Sequence, residues 1–107
     1  MEPLLVLTNL PDAESAEKIA TALIESRAAA CVNVLAECHS VYRWQGRLET
    51  AAEIPLLIKT SVANYPLVEQ IVRSQHPYDV PELIAIPITH GLPDYLAWLV
   101  TETEQHD

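Results

Sequence analysis

Three short segments of this chain are apolar without alternation: Leu4-Leu5-Val6-Leu7, Leu56-Leu57-Ile58 and Leu83-Ile84-Ala85-Ile86. Successive strand residues point to opposite faces, so each segment is apolar on both sides. An antiparallel sheet with one face in water alternates instead. The chain has 107 residues in which to cover such strands, and a chain of that length buries only about 60–70% of its unfolded surface. Both sheet faces therefore need a covering layer. Whatever this chain cannot cover, another subunit must, or the surface is an aggregation hazard.

The elements follow from periodicity and punctuation. "PLLVLT" reads as a first strand. Pro11-Asp12 then opens a helix, with Asp12 as its cap, Glu14 in its first turn, and Ala16, Ile19, Ala20, Leu23 and Ile24 at helical spacing through about Arg27. Residues 31–60 read as one long hairpin turning at Gln45-Gly46. A second helix is expected from about Ala63 to Gln75, with Pro66 in its first turn and Leu67, Val68, Ile71 and Val72 as its stripe. "ELIAIPIT" is the fourth strand, and "LPDYLAWLVTETEQ" a third helix opened by Pro93. The order βαββαβ plus a C-terminal helix predicts an α+β fold. It is a ferredoxin-like sandwich whose four-stranded antiparallel sheet carries two helices on one face. With no repeat and no linker, residues 1–107 read as a single domain.

The hairpin is too long for the body. Residues 31–45 would span about 46 Å if extended, against a diameter of roughly 30–35 Å for a domain of this size. The arm must bend, bulge or project. A projecting tip carrying Tyr42, Arg43 and Trp44 would place Tyr42 and Trp44 on one strand face as interface residues. Pro55 and Pro87 fall inside predicted strands, where a missing N–H is tolerated at edges and bulges. These features predict an obligate oligomer whose sheets meet across the interface.

Charge narrows the partners. The formal net charge is −9 and there is no basic cluster, so nucleic acid is not an expected partner. No stretch approaches the roughly 20 apolar residues of a membrane span, and "MEPLLVLTN" lacks the positive start of a signal peptide. The cytoplasm is the expected compartment. Cys31 and Cys38 lie in one extended segment, about 23 Å apart at strand rise, beyond disulfide reach. An odd separation puts them on opposite faces unless a bulge intervenes.

The densest local signal is "HPYDVPELIAIPITHG", residues 76–91. His76 before Pro77 can close a helix, where a histidine favours the C-terminal carbonyls. It can also ligate a metal, recruiting Asp79, Glu82 or a neighbouring subunit's side chain. His90 lies fourteen residues on, across a strand, too far for a shared site within one chain. Cys38 and His39 are adjacent and make a poor chelate. Lys59 ends an apolar strand. Together with Arg43 it is the candidate for an anionic ligand in a subunit cleft. No nucleophile–base pattern and no phosphate-cradling glycine loop occurs, and the chain has only two glycines. An enzyme is not expected.

"AACVN" at 29–33, "SVYRWQGRLE" at 40–49, "IKT" at 58–60, "HPYDVPEL" at 76–83 and "PITHGLPDYLAWL" at 87–99 resemble the divalent-cation tolerance family CutA, in order along nearly the whole chain. The resemblance implies a homotrimer with ferredoxin-like subunits, similar in architecture to the PII signalling proteins. It also implies a role in divalent-cation tolerance with copper, Cu(II), as a bound ion. Its metal pattern is a cysteine at the end of the first strand and two adjacent histidines before Pro-Tyr. Here those positions hold Thr8 and Gln75-His76, so His76 alone matches, and one imidazole with carboxylates makes a weak site. Three functions stay open: a metal-binding tolerance protein, a PII-like sensor of a small anion, and a trimeric scaffold for a protein partner that no motif identifies.

Overall fold

In the computed structural model, which describes residues 2–105, the elements are β1 (Pro3–Leu10), α1 (Ala13–Glu25), β2 (Cys31–Val34), β3 (Cys38–Trp44), β4 (Arg47–Ser61), α2 (Tyr65–Gln75), β5 (Ile84–Pro87) and α3 (Pro93–Glu102). The sheet is five-stranded, in the order β2-β4-β1-β5, with β3 on the same side of β4 as β2 continues from. Every pairing is antiparallel. With β2 and β3 taken as one broken arm, this is the expected ferredoxin-like sandwich. The cap predicted at Asp12 is present: its Oδ1 accepts from the Ser15 amide at 2.7 Å. That bond holds the Asp12 carboxyl below its usual value.

β1 alternates between half-buried and buried residues along its whole length. Leu4, Val6 and Leu10 point to the α1/α2 side and join Leu56 and Ile58 of β4. There they meet Ala16, Ile19 and Leu23 of α1 and Val68 and Val72 of α2. That single cluster is the core. Thr60 is fully buried beside it and donates to the Ala28 carbonyl at 2.6 Å, so its hydroxyl carries no unmet bond inward.

The long arm does not run unbroken. β2 stops at Val34 and β3 starts at Cys38, while their β4 partners are Leu56 and Glu53. Four steps along the arm therefore oppose three along β4, the count of a bulge. Pro55 supplies the cause. Its carbonyl accepts from the Leu35 amide, so its nitrogen faces the same arm and has no hydrogen to give. The ladder loses a rung there and the arm breaks. The shift in register also puts Cys31 and Cys38, opposite Lys59 and Glu53, on one face rather than two. Pro55 thus sits in a central strand, at a bulge and not at an edge.

Beyond the break the hairpin projects, and the molecule measures 44 × 29 × 22 Å. Gln45 and Gly46 make the expected turn with φ of 51° and 80°, the two left-handed residues of a type I′ hairpin. The second sheet face carries Leu5, Leu7, Leu57 and Lys59. α3 packs over part of it, against β1 and β4, with Leu99 fully buried. The rest is open: Ile84 and Ile86 are about half exposed and Leu92 is 70% exposed. The chain presents 6759 Å² of surface, where a compact monomer of this mass presents about 5,900 Å².

Gly46 has no atom within 4 Å of where a Cβ would stand, so the penalty of a side chain there is purely conformational. Gly46→Ala should cost about 1 kcal/mol in urea denaturation at fixed protein concentration. An unchanged midpoint would mean that the turn does not hold the hairpin.

Candidate functional site

The 76–83 segment is tied down by β1. The Thr8 hydroxyl donates to the Glu82 carbonyl at 2.7 Å, and Asn9 Nδ2 donates to Glu82 Oε1 at 3.2 Å. His76 caps α2 through its own amide, which bonds the Val72 carbonyl. Its ring, however, does not serve the helix end. Nε2 lies 2.7 Å from the Asn9 carbonyl, and Nδ1 accepts from the Tyr78 amide at 3.1 Å. A carbonyl only accepts, so Nε2 carries the proton and the imidazole is the neutral Nε2–H tautomer. His76 is 8% exposed and works as a buried strut between α2, β1 and the loop.

That geometry bears on a metal. The one free lone pair of the ring is already engaged by Tyr78 N–H, and ligation through Nε2 would abandon Asn9. Either route gives up a hydrogen bond at a buried group. Asp79 and Glu82 are exposed on the loop. Thr8, at the position where the resemblance implies a cysteine, spends its hydroxyl on Glu82. Gln75 Oε1 is buried without a partner, and it lines the α1–α2 groove rather than the loop. Among the described residues no three His, Cys, Asp or Glu side chains converge on a common point. Within one chain these residues do not fit a closed copper centre.

Lys59 and Arg43 do not come together either. Arg43 pairs across the hairpin with Leu48, and eleven residues of β4 separate Leu48 from Lys59, about 36 Å at strand rise. Lys59 stands on the open face, bonded to Asn33 and 3.9 Å from Cys31 Sγ. The Tyr95 phenol of α3 is pushed up by burial and by Cys31 beside it. Tyr42 and Trp44 are 43% and 48% exposed on one face of β3, available for packing.

Sequence reasoning missed Glu53. It sits inside an apolar strand two residues before Pro55, and the residue as a whole is only 8% exposed. The Tyr78 hydroxyl donates to its Oε2 at 3.1 Å. An acid embedded in "AEIPLLI" was the available signal. Which arm residues share its face, however, depends on the register shift at the break, which no pattern discloses. Glu53, Tyr78, Asp79 and Glu82 line a groove of about 850 Å³ whose far wall is Tyr42 and Trp44 of the hairpin.

Partial burial, the hydrogen bond to Glu53 and its charge raise the Tyr78 phenol above its ordinary 10.0. An acid whose folded value is raised contributes stability below its unfolded value, and loses it as pH rises through the folded one. Tyrosine-ring NMR across pH 9–12 should show Tyr78 titrating later than free tyrosine. In Glu53→Gln the shift should shrink without vanishing, because burial leads the causes. A Tyr78 titration unaffected by Glu53→Gln would break the assigned contact.

Residues 4–102 match the family model described as CutA1 divalent ion tolerance protein. The divalent-cation tolerance protein CutA of Thermus thermophilus is 44% identical over 99 residues, covering 92% of this chain and 96% of that protein. The crystal structure of CutA from Xylella fastidiosa superposes with a TM-score of 0.94 at 42% identity, covering 97% of this chain and all of that one. A structure from Archaeoglobus fulgidus, named as a periplasmic divalent cation tolerance protein, superposes at 0.92 with 34% identity, covering 95% and 99%. Sequence match and superposition both run through the broken arm, the loop and α3, and the chain belongs to the CutA1 divalent ion tolerance family.

Proposed function

We propose that this protein acts in divalent-cation tolerance as a non-enzymatic homotrimer of single-domain subunits in the cytoplasm, binding copper or another divalent ion weakly. The family match over residues 4–102 carries the cation reading. The carboxylates of Asp79 and Glu82 are the accessible donors. His76 joins them only by giving up Asn9 or Tyr78, or when a neighbouring subunit adds a ligand. With at most one imidazole, selectivity for copper rests on the general affinity order of divalent ions. Calorimetry at controlled pH should give micromolar or weaker copper binding, reduced in His76→Ala with assembly intact. Tight stoichiometric binding that survives His76→Ala would move the ligands elsewhere, to Cys31, Cys38 or His39.

The open apolar face supports the oligomer. Its exposed isoleucines, the rings of Tyr42 and Trp44, and surface in excess of a monomer's all favour burial against further copies. Sedimentation at micromolar concentration should give a trimer, and Trp44→Ala should weaken assembly by about 2 kcal/mol or more with subunit secondary structure retained. A monodisperse native species of 11.9 kDa would contradict this.

A second reading has its own observation. Lys59 faces the uncovered sheet with no carboxylate among its contacts, and among the described residues the ion pair is Arg27–Glu102 instead. A PII-like sensor would seat a small anion there, with Arg43 reaching in from another subunit. Thermal shift against a nucleotide panel tests it, since a ligand selective for the native state raises the midpoint. A trimeric scaffold for a protein partner is what stays if neither metals nor anions bind.

A further inference from the structure

α3 is held at one end. Its first half carries Tyr95 and Trp98, both exposed, whereas Leu99 and Thr103 in its last turn are buried. Three segments distant in sequence meet at that buried end. Asn64, 7% exposed, donates through Nδ2 to the Thr103 carbonyl and, at 3.3 Å, to the Arg27 carbonyl. A carbonyl only accepts, so the amide must present its nitrogen to both. Arg27 follows the C-cap of α1 with φ of 63°, the left-handed position that glycine usually takes. That turn aims its carbonyl at Asn64 and at Gln105, whose Nε2 donates to it at 3.0 Å. Its guanidinium reaches the Glu102 carbonyl at 3.4 Å and the Glu102 carboxylate at 3.8 Å, a cation placed at a helix C-terminus.

We propose that Asn64 and the left-handed Arg27 form a latch that fixes the pose of α3, and through it the contour of the second sheet face at which copies of this chain meet. The second half of that statement rests on the oligomer reading above; the first does not. A satisfied buried polar network admits one arrangement where apolar packing tolerates several. A helix of ten residues is not stable by itself in water, so a released last turn unwinds. The latch lies at the C-terminal end of α3, and Tyr95 and Trp98 lie toward its start. Asn64 therefore acts on the meeting face by positioning, through the helix. The start of α2 does not need the same side chain, because Asn64 makes no side-chain cap bond there and its backbone carbonyl accepts from Leu67 and Val68.

The test is amide hydrogen exchange of the full-length chain, read by mass spectrometry, with sedimentation over a range of concentrations. In Asn64→Ala the amides of residues 99–104 should exchange about tenfold faster or more, while those of α1, α2 and β1 keep their rates. Assembly should then require about tenfold more protein. Asn64→Asp keeps the shape but offers only acceptors to two carbonyls, and should loosen α3 at least as much. Arg27→Gly keeps the carbonyl and relieves the backbone. It should loosen the same amides less, since a half-exposed ion pair contributes little. Unchanged exchange at residues 99–104 in Asn64→Ala would overturn the latch. So would wild-type exchange in Asn64→Asp, which would make the residue a space-filler, or equal acceleration of every element, which would make it a general core residue. A larger effect in Arg27→Gly would transfer the role to the ion pair. Loosened α3 with unaltered assembly would overturn the link to the meeting face. A wild-type chain that sediments as a monomer contradicts the oligomer reading itself, and the exchange comparison still decides the latch.

Discussion

A sheet that is apolar on both faces, in a chain with helices enough for only one, is the constraint on which this structure turns. α1 and α2 close the first face with Ile19, Leu23, Val68 and Val72. The one remaining helix, α3, reaches β1 and β4 on the second and leaves Ile84, Ile86, Tyr95 and Trp98 in contact with water. Leaving such area exposed has a free-energy cost of about 25 cal/mol per Å². The excess surface of the lone chain makes that term comparable with the whole stability of a small domain. In the proposed oligomer, assembly is thus part of how this subunit folds.

Pro55 organises the other half of the molecule. By withholding one donor it breaks the arm into β2 and β3 and shifts the register. That shift turns Ser40, Tyr42 and Trp44 toward the face that carries Glu53. The 76–83 loop then closes over the same region, held by Thr8, Asn9 and His76. Positions that the CutA resemblance marks for metal ligation hold the loop in place here. Thr8 grips a carbonyl and His76 bridges two backbone groups. The distinctive chemistry moves a few residues away, to a buried acid among aromatic rings.

Much of this was legible in the residues. Asp12, the Gln45-Gly46 turn, Pro66 and Pro93 mark element boundaries by local chemistry that tertiary context seldom overrides. Two-sided apolar strands exposed the need for a further layer. The break at residues 35–37 was legible only as a length problem, because a proline's missing donor matters only once its partner strand is known. His76 illustrates the limit. Its sequence context suggests a helix end or a ligand, yet its ring serves Asn9, sixty-seven residues away. Glu53 was invisible for a like reason, since its burial comes from Tyr78 across the fold.

The proposed oligomer makes folding and assembly one process, because other subunits would close the second sheet face. Thermal unfolding followed by circular dichroism over a thousandfold range of protein concentration tests it most directly. Mass action requires the midpoint to fall steadily on dilution when the native state is an oligomer and the unfolded state a monomer. A midpoint that stays constant across the whole range would show a subunit stable by itself, and would contradict the account.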